Sequence, residues 1–339
     1  MRISAAAPAG WNRRIASSVL SVEFGEAMTT LGWRPLYAWD TSDLALVLVR
    51  RLGVPGLRAW TTRAKVYVND GYPTFVRELE LVLAEEGVAS AAVGDPVWPL
   101  APHLRAGLRH VVMQTHHRIV HDVRQDDEAL LARMHPELRG HLRRGARAEV
   151  DVREASTAAD IGAFCGLGAE TADRLRGRHP MAGLPERWFR AVFDTMVPRG
   201  QAIFLIARAG GTPLSGALFF RSGATLTYYH GVSTRDPALT PCQGPSSMFW
   251  HAMRLARALG LRYFDHGAVR VTDDPAHPHD PVYDYKRRFG GHVEEIASGR
   301  LVLSPAKHAF QERLMMPVWK RLYPLYLRLG RAHAIPLRA

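Results

Sequence analysis

Apolar positions recur along the chain with two periods. Between residues 15 and 32, Val19, Val22, Phe24, Ala27, Met28 and Leu31 fall three to four apart, which predicts a helix stopped by Gly32. Leu36–Trp39 and Leu44–Arg50 are short apolar runs on either side of Asp40-Thr41-Ser42-Asp43, and they predict paired strands. Ala64–Asn69 predicts a strand ended by Gly71-Tyr72-Pro73. Thr74–Glu86 predicts a helix with Phe75, Leu79, Val82 and Leu83 on one face. Val88–Gly94, Arg109–Val112 and Ile119–Val123 read as short strands. A helix then opens at Asp126-Asp127-Glu128 and carries on past Pro136 into the basic segment Leu138–Arg147.

The second half repeats this vocabulary. Ala158–Arg176 and Pro185–Met196 predict helices. Ala202–Arg208 and Leu214–Arg221 predict strands joined by the hairpin sequence Ala209-Gly210-Gly211-Thr212-Pro213. Thr225–Gly231 extends the meander, Ser246–Leu259 is a helix closed by Gly260, Tyr263–His266 is a strand, Asp273–Asp280 a loop and Val293–Leu303 a strand. Residues 305–332 predict a basic helical tail broken by Pro317 and Pro324. The order helix, helix, hairpin, strand, helix, strand occurs once clearly here and once more loosely before residue 130. Two similar α/β modules follow from it, and a length of 339 residues accommodates them.

Composition narrows the class. With 47% hydrophobic and 22% charged residues the chain is an ordinary globular protein, not a disordered tail or a disulfide scaffold. No apolar run is long enough to span a membrane, and the start MRISAAAPAGWNRR lacks the apolar stretch of a secretory signal, so a cytoplasmic location is expected. Cys165 and Cys242 are isolated and read as small core residues. The formal net charge of +12 calls for an anionic partner. Of the 44 basic residues only Lys65, Lys286, Lys307 and Lys320 are lysines, which singles each of them out.

The chemistry-bearing motifs are few. There is no G-x-S-x-G elbow, H-E-x-x-H, Walker loop or G-x-G-x-x-G. His277-Pro278-His279-Asp280 lies in a proline-rich loop without a second cluster, and His116-His117 face opposite ways, so no metal is expected. On a helix, Arg139 and Arg143 share a face with Arg147 below them and Arg144 beside them. Guanidinium forks suit phosphate, and a solvated basic face is the plain alternative. Asp284-Tyr285-Lys286-Arg287-Arg288-Phe289-Gly290-Gly291 is the densest segment. Its aromatics could stack unpaired bases and its lysine could stabilise an oxyanion; read as structure alone, it is a β-bulge with solvent-facing charges. Residues 305–339 carry seven Lys/Arg against Glu312, with Trp319, Tyr323 and Tyr326 interleaved. That tail could touch RNA, an anionic membrane surface or only the protein itself.

Four ordered stretches resemble the Fem family of aminoacyl-tRNA-dependent peptidyltransferases, built from two acetyltransferase-like (GNAT) modules. Arg139-x-x-x-Arg143-x-x-Ala146 resembles its Arg-x-x-Ile-Arg-x-Ala signature, with Leu142 at the Ile position. Tyr228-Tyr229-His230-Gly231-Val232-Ser233 resembles its aromatic strand. Gly260-Leu261-Arg262-Tyr263-Phe264-Asp265 with Gly267 resembles its Gly-x-x-x-Phe-Asp-x-Gly strand. Tyr285-Lys286-x-x-Phe289-Gly290-Gly291 resembles its Phe-Lys-x-x-Phe-Gly-Gly motif, with Tyr for the first Phe. More weakly, Tyr67 to Pro73 resembles a Tyr-x-x-x-Gly-Pro element.

The resemblance implies an α/β fold, α+β in detail: a first GNAT-like module over 1–150, a second over 151–304 and the basic helical tail over 305–339, with mixed sheets flanked by helices. It implies transfer of an amino acid from charged tRNA to an amine, and neither a resident cofactor nor DNA is expected. Lys286 takes the place of the family's catalytic lysine and Tyr285 that of the preceding aromatic. Arg139, Arg143, Arg144, Arg147, Arg287, Arg288 and Phe289 become candidates for tRNA, and Tyr229, His230, Asp265 and Arg34 for the acceptor. The second module lacks the long helical hairpin of members acting on cell-wall precursors. The acceptor is left open between a precursor peptide and a small amine or peptide, and a peripheral contact with a membrane surface is also open. Two other readings remain: an acyl-CoA-dependent N-acyltransferase, whose phosphate loop would fall near Gln243-Gly244-Pro245-Ser246-Ser247, and a non-catalytic RNA- or membrane-binding protein.

Overall fold

The computed structural model describes residues 1–53, 60–94, 111–174, 184–271, 281–315 and 317. The chain divides into two compact units. One comprises Met1–Thr115 with the described residues from Ala297 onward, the other His116–Ile296.

The first unit holds β1 (Arg2–Ser4), α1 (Val22–Thr29), β2 (Arg34–Trp39), β3 (Leu44–Gly53), β4 (Trp60–Val68), α2 (Pro73–Glu85) and β5 (Val88–Val93). Its strands lie in the order β1-β2-β3-β4-β5, antiparallel except for β4 and β5, whose parallel pairing needs the crossover α2. Leu36, Val47, Val66, Phe75, Leu79 and Val93 share its core. The helix predicted over 15–32 shortens to α1. Ser17 accepts from Val19 N and starts a 3-10 turn, and Ser21 accepts from Phe24 N at 3.0 Å to cap the helix proper, so two serine hydroxyls divide what periodicity alone joins. The Tyr67–Pro73 element is pinned by the buried Asp43, whose carboxylate accepts from Gly71 N at 2.6 Å and Tyr72 N at 3.0 Å.

Most of β6 (Val111–Asp122) belongs to the second unit, followed by α3 (Asp127–Arg133), α4 (Pro136–Arg147), β7 (Asp151–Glu154), α5 (Ala158–Arg174), α6 (Glu186–Met196), β8 (Ala202–Ala209), β9 (Thr212–Ser222), β10 (Thr225–Ser233), α7 (Gly244–Ala258), β11 (Tyr263–Val269) and α8 (Pro281–Arg287). The start of β12 (His292–Val302) also lies here, and its last residues, Gly299–Val302, pair with β5 in the first unit. Below residue 305 the chain adds α9 (Pro305–Phe310) and a π turn; residues 318–339 of the predicted tail, and the predicted loop at 273–280, lie outside the described residues. The second unit's sheet runs β7-β8-β9-β10-β11-β6.

Several sequence expectations change here. The described part of the strand predicted at Arg109–Val112 and the strand predicted at Ile119–Val123 fall in one strand, β6, whose polar middle carries no apolar signal. The long helix through Pro136 is two helices. Pro136 occupies the first helical turn of α4, and His135 before it is extended and accepts from Glu137 N. β7 is so charged that only its pairing with β8 makes it a strand. The compact units divide at Thr115/His116 and Ile296/Ala297, and the boundaries that the resemblance implies are 150 and 304. The reason is packing: Val123, Leu130, Met134 and Leu138 are buried with Phe219, Phe249, Phe264 and Phe289 in the second unit's core.

One local feature prepares the site. β10 and β11 are parallel neighbours over Thr225–Thr227 and Tyr263–Asp265 only. Beyond that, β10 bulges between Tyr228 and His230 and stays on β9, while β11 bulges after Asp265 and stays on β6. Gly267 stands at the parting with φ +72°, where a Cβ would lie 2.6 Å from the Tyr228 carbonyl oxygen. Gly267→Ala is therefore expected to lower stability by at least about 2 kcal/mol, combining a left-handed backbone with a backbone clash. Urea unfolding measures this, and a midpoint unchanged from wild type would show the parting to be plastic.

Candidate active site

The gap between the parted strands is built from backbone outward. Asp265 is fully buried. Its Oδ1 accepts from Gly267 N at 2.7 Å and its Oδ2 faces Arg118 at 3.3 Å; Arg118 in turn donates to Glu294 at 2.8 Å. These bonds fix the bulge so that the Ala268 carbonyl accepts from Lys286 Nζ at 3.1 Å. Lys286 is 5% exposed, and its Nζ lies 5.0 Å from the centroid of the Tyr228 ring, a cation–π arrangement. Burial raises the Asp265 carboxyl to about 6, against the pull of Arg118 and Lys286. Burial likewise pushes the Tyr228 hydroxyl up to about 12.

Aromatic rings wall this gap. His266 is wholly buried among Phe249, Phe264 and Phe289, and its ring lies 5.0 Å from that of His121. Neither ring nitrogen of His266 has a hydrogen-bond partner, nor does Nε2 of His121. Burial holds both rings neutral, with His121 lowered to about 4 and His266 well below its ordinary value.

The segment 284–291 is not a β-bulge. Its first part closes α8, and the turn after it docks on the junction of α3 and α4: His135 N donates to Arg288 O at 2.8 Å, and Gly290, with φ +83°, leaves no room for a Cβ against Arg133 O. The candidate phosphate residues therefore separate. Phe289 is fully buried and packs against His266 at 4.8 Å, so it is core and cannot stack on a base. Arg139 is half-buried and donates to Met134 O at 2.7 Å, capping the end of α3. Arg288 pairs with Glu137 at 2.8 Å. Arg143, Arg144, Arg147 and Arg287 are exposed.

Of the acceptor candidates, Tyr229 and His230 stand side by side at the β10 bulge. Tyr229 is the extra residue of the β10 bulge and packs on Phe220 and Trp188; His230 packs on Phe189 and Phe164. Both thus join the rings of α5 and α6, while Tyr228 meets Phe249 of α7 and Lys286. Asp265 is fully buried, and its carboxylate holds the bulge through Gly267 N. Arg34 is exposed on β2 of the first unit and faces Glu86 at 3.8 Å.

Residues 132–287 match the acetyltransferase (GNAT) domain family. The structure is similar to FemX with TM-score 0.69 and 13% identity, covering 95% of this chain and 100% of that one. The fold is FemX-like, and residues 132–287 are similar to a GNAT domain. It is also similar to the C-terminal DUF2156 domain of a protein from Agrobacterium fabrum named as a lysylphosphatidylglycerol synthetase, with TM-score 0.58, 16% identity and coverage of 89% and 93%. L-PGS from Bacillus licheniformis follows with TM-score 0.54, 10% identity and coverage of 91% and 92%. No curated protein matches the sequence.

Within the second unit, the sequence missed Tyr228, Arg118 and the Ala268 carbonyl. Tyr228 stood inside a quoted motif, but which of two adjacent tyrosines faces Lys286 depends on the bulge. Arg118 lies in the polar stretch of β6, where no pattern marks it. No group of three or more metal-ligating side chains occurs among the described residues, and no described helix is long and apolar enough to cross a membrane.

Two buried groups of the second unit, Asp265 and His121, shift in opposite directions. The Asp265 carboxyl is raised from 3.8 to about 6, so its contribution to stability is present at low pH and is lost as pH rises through about 6. His121 is lowered from 6.5 to about 4, so its contribution is present above 6.5 and is lost as pH falls through about 4. In His121→Phe the decline in urea midpoint between pH 6.5 and 4 should be shallower than in wild type. Parallel pH curves would show that His121 charges freely in the folded protein.

Proposed function

We propose that the protein transfers an aminoacyl group from charged tRNA to the amine of a peptide or small-molecule acceptor. The observation that carries this reading is Lys286: a buried lysine, oriented by the Ala268 carbonyl and the Tyr228 ring, in the gap where β10 and β11 part. An aminoacyl ester is already activated, so the enzyme needs positioning and charge stabilisation more than a covalent nucleophile. The amine nitrogen bonds to the ester carbonyl carbon, and the charge developing on the carbonyl oxygen meets the lysine ammonium. Collapse breaks the ester C–O bond, and the proton lost by the amine ends on the leaving ribose oxygen. Arg143, Arg144, Arg147 and Arg287 offer exposed charge to the tRNA backbone. This reading requires no resident cofactor and places the reaction in the cytoplasm, where charged tRNA is found.

The acyl-CoA alternative has weaker support. Its diphosphate would need the amides at the start of α7. There Pro245 lacks an N–H, and α4 lies directly on the first turn: a Cβ on Gly145 would collide with Ser247 Oγ and lie 3.4 Å from the Cys242 carbonyl.

Purified protein, mixed charged tRNA and cell-extract acceptors should give RNase-sensitive transfer that ignores acyl-CoA. Lys286→Ala should reduce the rate at least about 100-fold while tRNA binding persists. Transfer that survives RNase and needs acyl-CoA would sink the reading. A second expectation is a fall of about 10- to 100-fold in apparent tRNA affinity between roughly 50 and 200 mM salt, as about four phosphate contacts release counterions. A flat salt response would remove the arginine face from the account.

A further inference from the structure

Tyr285 carries a hydroxyl that packing does not require. Its ring rests on Phe249 and Phe289, 6.2 and 5.6 Å away, a setting a phenylalanine would fill as well. The residue is partly buried, and the desolvation of its hydroxyl raises its pKa. Burying it costs stability unless a partner is provided. The partner is Ser246 Oγ on α7, 3.3 Å away, which lies 3.4 Å from His141 Nδ1 on α4. His141 Nε2 faces Glu137 at 3.6 Å, and Glu137 pairs with Arg288 at 2.8 Å.

Each member turns away from a more ordinary role. Ser246 stands in the first turn of α7, where a hydroxyl commonly serves its own helix, yet it is 1% exposed and turned toward Tyr285. His141 belongs to a helix of exposed arginines, but its ring is turned inward. A polar path thus runs from α4 through α7 to α8. It ends on the residue next to Lys286 and returns to α4 through Arg288. The direction of the bonds follows from donor inventory: with the proton on Nε2 toward Glu137, His141 Nδ1 accepts from the Ser246 hydroxyl, which accepts from Tyr285.

We propose that Ser246 and His141 are positioning residues that hold the Tyr285 hydroxyl and thereby fix the place of Lys286 on α8. Its significance for catalysis rests on the reading of Lys286 above, but the placement itself can be measured without any substrate. α8 has only seven residues, too few to hold its own register without tertiary ties. The docked turn at Arg288–Gly290 fixes its end, and the Tyr285 hydroxyl fixes its rotation. A rotation small enough to leave the core intact would still carry Nζ away from the Ala268 carbonyl and the Tyr228 ring.

The chain has four lysines, so full-length protein with 13Cε-labelled lysine gives a spectrum simple enough to assign. The Lys286 signal is the one lost in Lys286→Ala, and the Tyr228 ring should displace it from the ordinary position. Ser246→Ala, His141→Gln and Tyr285→Phe should each move it back toward that position, and only Ser246→Ala, which leaves the Tyr285 hydroxyl without its partner, should also lower the urea midpoint. The double variant Tyr285→Phe with Ser246→Ala removes both hydroxyls and should restore any lost stability without restoring the signal. A Lys286 signal unmoved in all three single variants would overturn the proposal. So would a signal that recovers together with stability in the double variant, because the path would then only satisfy a buried hydroxyl. In the transfer assay, Ser246→Ala and His141→Gln should lower kcat about 10-fold with KM for charged tRNA unchanged. Loss of the signal shift without any tRNA-dependent transfer in wild type would leave the positioning intact and defeat the functional reading instead.

Discussion

The separation of β10 from β11 governs the second unit. Parallel strands normally continue side by side, and their unpaired edges cost free energy when they do not. Here the parting is held by one carboxylate: Asp265 binds the amide of Gly267, and Arg118 and Glu294 close the network behind it. A left-handed glycine is the only residue that fits against the Tyr228 carbonyl at that point. The Ala268 carbonyl that remains meets the lysine, so the same distortion that opens the gap also equips it.

Around that gap the protein concentrates polar groups inside an aromatic shell. Two histidine rings lie buried with nitrogens unpartnered, and a carboxyl lies buried beside an arginine. Such an arrangement is costly in a low-dielectric interior, and it is tolerated where the shell is rigid. The rigidity comes from α4 and α8. The arginine-rich helix caps α3 through Arg139, ties Arg288 through Glu137, and covers the first turn of α7 through Gly145. The helix that presents an exposed basic face is therefore also a structural brace for the lysine.

Much of this was legible in the amino-acid order, for reasons that differ by residue. The strands Leu36–Trp39 and Leu44–Arg50 announce themselves as continuous buried apolar runs, and the helix after Thr74 through the period of its buried face. β7 and the middle of β6 do not, since their side chains are charged or polar and only backbone pairing makes them strands. Lys286 stood out as a rare lysine inside a dense motif. Phe289 and Arg139 shared such motifs, yet one is core and the other a helix cap, because a motif records which residues recur together and not which way each points.

The sequence by itself determined the alternation of strands and helices, the basic charge, and the candidate lysine, since these are properties of local order and of counting. It also carried the resemblance to a two-module transferase, through the spacing of its glycines and aromatics. Only the tertiary structure decided which tyrosine of the Tyr228-Tyr229 pair meets Lys286, because a single bulge in β10 turns the second ring to the other face. It alone decided that Asp265 holds the bulge, that Tyr229 and His230 join the rings of α5 and α6, and that Ser246 links His141 to Tyr285. Each of those depends on contacts between elements far apart in the chain, and no local pattern encodes them.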